Sequence, residues 1–126
     1  EALEAIADAA RDCRGAMLER DEAGVAAAIA AEWKARKRLA PEVCPPELAK
    51  VEQAAVDAGA LAFKACGAGG GGSVLVWHAQ GAHDDLAAAL TAAAPEGCTL
   101  ASSVATTGCQ VRAGVTRGFS ASDRPL

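Results

Sequence analysis

The sequence predicts an α+β domain in which helices pack on one face of an antiparallel sheet, and three observations carry that reading. Apolar residues recur at three- and four-residue steps over three early stretches, which is the spacing of one face of a helix. Two short apolar runs, Ala62-Phe63-Lys64-Ala65-Cys66 and Val74-Leu75-Val76-Trp77, read as strands. Between them lie six positions of which five are glycine, followed by Ser73. A loop that short between consecutive strands makes them antiparallel. Helices gathered before and after such a sheet give the class.

The first helix is expected over residues 1–20. Leu3, Ile6, Ala10, Cys13 and Met17 fall on one face, with Glu4, Asp8, Asp12 and Glu19 around the rest. Arg20-Asp21 breaks the pattern, and Asp21 can cap the next helix. That second helix is expected over residues 22–38, with Val25, Ile29 and Trp33 as its buried stripe. Its last turns hold Lys34, Arg36, Lys37 and Arg38, cations that suit the negative end of the helix dipole. A proline loop follows. Pro45-Pro46-Glu47 opens a third helix, because proline is favoured in a first turn. Leu48, Val51, Ala55 and Ala58 form its apolar face, and Gly59 is placed to end it. After the two strands, His83-Asp84-Asp85 opens a fourth helix lined by Leu86 and Leu90 and stopped by Pro95-Glu96-Gly97. Residues 98–112, rich in Thr, Ser and Val, read as one or two further strands. The domain is therefore expected to occupy residues 1–112, and residues 113–126 read as a solvated tail.

A length of 126 residues suits a single core, and an aromatic content of 3% means that core is built on small side chains. The net charge is −4 with Lys and Arg scattered, which argues against a nucleic-acid binder driven by phosphate contacts. No apolar run reaches the length of a membrane span, and nothing at the start reads as a signal peptide. The five cysteines are widely spaced without a C-x-x-C pair. Small buried thiols in a reducing cytoplasm are the simpler expectation, and a zinc site is not expected.

The glycine loop is the candidate for chemistry. Gly67, Gly69 and Gly72 satisfy G-x-G-x-x-G, but a dinucleotide loop must open a helix and this one opens a strand. A Walker A loop needs Lys-Ser/Thr after its last glycine, and here Ser73-Val74 follows. What remains is a strand-loop-strand turn, which can hold its amides toward an anion or let another segment pack flush against it.

The run from Gly59 through Ala62-Phe63-Lys64-Ala65-Cys66 to Gly72 resembles the third motif of the GHMP kinase superfamily, which includes galactokinase and homoserine, mevalonate and phosphomevalonate kinases. Glu32-Trp33-Lys34-Ala35-Arg36-Lys37-Arg38-Leu39 and its proline loop resemble the sugar-kinase branch, similar to kinases of heptose phosphates and of fucose. The resemblance implies a ferredoxin-like C-terminal domain that forms one wall of a kinase active site. It assigns Gly67, Ala68, Gly69, Gly70, Gly71 and Gly72 to the wall beside the ATP phosphates. It further implies ATP-dependent transfer of phosphate to a hydroxyl of a sugar or sugar phosphate. Lys34, Lys37 and Arg38 are candidates for contacts to a phosphorylated sugar.

The family's Pro-x-x-x-Gly-Leu-Gly-Ser-Ser-Ala phosphate loop is not in this chain, nor is the N-terminal domain that carries it with the catalytic Asp and the Mg²⁺ ligands. ATP and Mg²⁺ are thus expected only in an enzyme that has both domains, and this chain alone is expected to be inactive and to bind no cofactor. The N-terminal domain, in the same or a separate chain, is the expected partner. The face it would cover favours homodimers in its absence. Two alternatives are a regulatory module that keeps the fold without catalysis, and a ferredoxin-like sensor with its own ligand pocket.

Overall fold

The computed structural model describes residues 1–100, 102–103 and 105–108. The first helix, α1, spans Ala2–Glu19, and α2 spans Glu22–Arg36. Arg20 adopts left-handed backbone (φ 59°) at their junction, and its N–H donates to the carbonyls of Ala16 and Met17. Asp21 caps α2 as expected, its carboxylate accepting from the Gly24 N–H at 3.0 Å. A Cβ on Gly24 would come within 2.9 Å of the Ala16 Cβ, so glycine is what lets the two helices close at this elbow.

The face that α1 turns to α2 is not the expected stripe. Ala9 is buried and Ala2, Ala5, Ile6, Cys13 and Ala16 are half-buried, whereas Leu3, Ala10 and Met17 are exposed. Alanine occupies so many positions of α1 that periodicity marks two adjacent faces equally. The alanine side wins because small side chains allow the closer helix approach and the denser packing. In α2 the buried set is Val25, Ala26, Ala28, Glu32, Trp33 and Ala35, with Ile29 half-buried. The helix ends two residues earlier than expected. Lys37 and Arg38 lie in a tightened turn, where the Arg38 N–H donates to Ala35 O and the Leu39 N–H to Arg36 O.

After a 3-10 turn at Pro41–Val43, α3 runs over Pro46–Asp57 with its prolines at the start. Gly59 (φ 86°) ends it: the Gly59 N–H donates to Val56 O and the Ala60 N–H to Ala55 O, a Schellman closure. Strand β1, Ala62–Ala65, then pairs antiparallel with β2, Val74–Trp77, with Phe63 opposite Val76 and Lys64 opposite Leu75. Alternation places Phe63, Ala65, Val74 and Val76 on one face. Trp33, Leu48 and Ala55 pack with that face, and Leu90 of α4 (His83–Ala93) joins them. The rings of Trp33 and Phe63 meet edge-on at 6.2 Å between centroids, a contact that adds about 1 kcal/mol to their burial. The other face carries Ala62, Lys64, Leu75 and Trp77, and Leu75 is 39% exposed.

The class is α+β, with four α-helices and a two-stranded antiparallel sheet among the described residues. Over the strand expectation at 98–112, the described residues 98–100, 102–103 and 105–108 are irregular. A Thr/Ser/Val-rich run becomes a strand only where an edge receives it, so propensity alone does not decide the matter. The rest of that stretch, the domain boundary at 112 and the tail at 113–126 lie outside the described residues. No helix among the described residues is long and apolar enough to cross a membrane.

Candidate functional site

The glycine loop turns through five positions whose backbone favours glycine, with Ala68 between the first two. Gly67, Gly69, Gly70, Gly71 and Gly72 all have positive φ, between 76° and 138°. A run of such angles would strain side-chain-bearing residues by about 1–2 kcal/mol at each position. The Cys66 N–H donates to Ser73 O at 2.9 Å and closes the loop's base. Midway, the Gly70 N–H donates to Val43 O at 3.0 Å, so the loop rests on the 3-10 turn. A Cβ on Gly69 would stand 2.7 Å from that same carbonyl oxygen. Among the described residues, the amides of Gly67, Ala68, Gly69, Gly71 and Gly72 find no acceptor within the protein.

Beneath the loop's first residue lies a charge cluster that the sequence reading did not identify. Glu32 is only 8% exposed on the inner side of α2. Arg36, one turn on, donates from Nε to Glu32 Oε1 at 2.6 Å and from Nη1 to Gly67 O at 2.9 Å. Its Nη2 also pairs with Glu32. Lys64 of β1 brings its ammonium to 2.9 Å from the other Glu32 oxygen. Burial pushes the Glu32 carboxyl up, but Lys64 and Arg36 outweigh that cost and hold it below its ordinary value. One carboxylate thus ties α2, β1 and the start of the loop together. Two signals were legible in the sequence: an acid interrupting the apolar stripe of α2 with an Arg at i+4, and a lone Lys inside an apolar strand.

The three cations named from the sequence are not gathered at the loop. Lys37 donates to Glu52 of α3 at 2.7 Å, and its ammonium lies 5.6 Å from the centre of the Trp33 ring, within cation–π range. Lys34 is exposed. Both line an open cleft of about 410 Å³ whose floor includes Trp33, Leu61 and Phe63. That cleft lies at the start of β1, whereas the glycine loop leaves its end. Arg38 is exposed and makes no ion pair among the described residues. The cation that does reach the loop is Arg36.

The cysteines differ from the expectation of buried thiols. Cys13 and Cys44 are half-buried, Cys66 and Cys98 are exposed, and Cys109 lies outside the described residues. Cys66 is the last residue before the glycines, where the strand has already left the core. Cys44 lies against Glu52, and burial followed by that carboxylate pushes its thiol up, so it is a poor nucleophile. No group of three metal-binding side chains occurs among the described residues. The donor set at the loop is therefore backbone N–H over a base of two cations on one carboxylate. That arrangement can face the oxygens of an anion.

The family described as GHMP kinases C terminal matches residues 13–97. Comparison with curated proteins gives no match. The matched stretch runs from the middle of α1 past the end of α4 and takes in the glycine loop, the Glu32 cluster and the cleft, so the chain belongs to the GHMP kinases, as their C-terminal domain.

Proposed function

We propose that this domain is one wall of the active site of an ATP-dependent small-molecule kinase, with its glycine loop beside the nucleotide phosphates and a sugar or sugar-phosphate hydroxyl as acceptor. The observation that supports this most is the row of loop amides without internal acceptors. They sit on a backbone pinned at Val43 and at Arg36. Such donors need no reorganisation when phosphate charge arrives, the condition for electrostatic stabilisation of transfer. A donor set of backbone N–H suits the oxygens of a triphosphate. ATP and Mg²⁺ would supply the transferable phosphoryl group and its charge screening, and the metal ligands and catalytic base fall to an N-terminal kinase domain. The sugar branch rests on the resemblance of the stretch from Glu32 to Leu39, and the cleft beside Lys34 offers room for part of an acceptor.

The test measures ATP-dependent phosphorylation of a panel of sugars and sugar phosphates. The 126-residue chain is assayed alone and together with a GHMP kinase N-terminal domain, joined or separate. Phosphorylation is expected only when both are present. Activity of the chain alone would overturn the division of labour. No activity with both present, together with loop amides whose exchange is unaffected by ATP, would overturn the kinase assignment.

A further inference from the structure

The turn that carries the glycine loop is weakly tied by its own backbone. The Val43 N–H donates to Ala40 O at 3.2 Å and the Cys44 N–H to Pro41 O at 3.4 Å, at and beyond the usual length. Pro45 and Pro46 follow and have no N–H to give. Val43 and Cys44 pack against the core, but apolar contact sets depth and not direction. The Gly70 N–H nevertheless donates to Val43 O, and a Cβ on Gly69 would strike that same oxygen.

Among the described residues, one side-chain hydrogen bond reaches this turn from elsewhere. The Cys44 thiol donates to Glu52 Oε2 of α3 at 3.7 Å, a length that suits the larger sulfur atom. The other Glu52 oxygen accepts from Lys37 at 2.7 Å, and Lys37 lies over the Trp33 ring. Glu52 is thereby held from one side and presents its second oxygen to the turn. Burial, and after it the Glu52 charge, push the Cys44 thiol up, so the sulfur keeps the proton it donates.

We propose that Glu52 is a positioning residue for the glycine loop: through the Cys44 thiol it orients the Pro41–Val43 turn, and through Val43 O that turn places Gly70. Glu52 and Lys37 also line the cleft, so one carboxylate stands between the cleft and the seat of the loop. A carboxamide cannot replace it. With its oxygen on Lys37 it turns its N–H groups to Cys44, and with its oxygen on Cys44 it turns them to the ammonium.

Amide exchange of the 126-residue chain tests this directly. Cys44→Ala and Glu52→Gln should each speed exchange at Gly70 roughly threefold or more. The Cys66 amide, bonded to Ser73 O at the base of the loop, should keep its rate. The double variant should be no faster at Gly70 than the faster single one, because both changes remove the same link. Unchanged Gly70 exchange would overturn the proposal. So would additive effects, or equal acceleration at Cys66, which marks general loosening. The consequence for transfer rests on the kinase reading. In the two-domain enzyme, Cys44→Ala, outside the cleft, should lower kcat several-fold with the acceptor KM little changed. Faster Gly70 exchange with an unchanged kcat would uphold the positioning role and remove the loop from catalysis, so the two readings fail separately.

Discussion

Replacing Gly69 by alanine is the sharpest probe of how the loop is held. Gly69 has φ +96°, and its added Cβ would stand 2.7 Å from Val43 O and 3.0 Å from Val43 Cγ1. A backbone oxygen cannot swing aside as a side chain can, so the loop must lift off the Pro41–Val43 turn. Two costs follow. Holding alanine at positive φ costs about 1–2 kcal/mol. Lifting the loop forfeits the Gly70–Val43 hydrogen bond, about 1 kcal/mol net. Together Gly69→Ala should destabilise by about 2–3 kcal/mol. Gly67→Ala is the internal control: φ is +76°, but nothing lies within 4 Å of its added Cβ. It incurs the backbone strain alone, so the gap of about 1 kcal/mol between the two variants isolates the seat on Val43. Urea unfolding of both variants measures that gap, and amide exchange at Gly70 should speed up only in Gly69→Ala. Equal destabilisation with unchanged Gly70 exchange would refute the idea that Val43 carries the loop.

Glu32 should set part of the acid limb of stability. Its folded carboxyl lies below the ordinary value of 4.5, so its contribution is complete above that pH and fades as pH falls through the folded value. Glu32→Gln should flatten the stability profile below about pH 4.5 and cost about 2 kcal/mol near neutrality, since it leaves two partly buried cations without their anion. Urea midpoints across pH 3–7 check both effects, and a variant with the same acid slope as the parent would count against the cluster. In the two-domain kinase, Lys34→Gln, at the cleft, should raise the acceptor KM several-fold with kcat little changed, whereas Arg38→Gln, outside the cleft, should leave it alone. An unchanged KM for Lys34→Gln would leave Lys34 as a partner of the α2 dipole. Lys37→Gln should in addition lower stability by roughly 1 kcal/mol, because Lys37 is already engaged by Glu52 and Trp33.

The helices and the strand-loop-strand order were legible because local chemistry and tertiary demand agree there. Asp21 caps, the prolines open α3 and Gly59 closes it, each where its backbone preference alone would put it. The rotation of α1 was not legible, since an alanine-rich helix offers two apolar faces and only its neighbour chooses between them. The loop stood out because five glycines between strands have few bland explanations. Its support did not, because Arg36 and Gly67 are 31 positions apart and no local spacing shows that Glu32, Arg36 and Lys64 meet. Lys34, Lys37 and Arg38 drew attention as a cluster in sequence. Helical geometry spreads consecutive residues around the axis, so one basic run serves a cleft, an ion pair and solvent separately.

The cluster under the loop also has an electrostatic remainder. Arg36 and Lys64 bring two positive charges to a single carboxylate, so one unit of positive charge is left over at the foot of the glycine turn. The Arg36 guanidinium is committed to Glu32 and Gly67 O, so that charge acts on an incoming anion through the field and not through contact. A field of this kind draws an anion toward the turn before any amide touches it. It also fades within about 8 Å at physiological ionic strength, which makes the first approach of a phosphate group, more than its final seating, the step that added salt will slow.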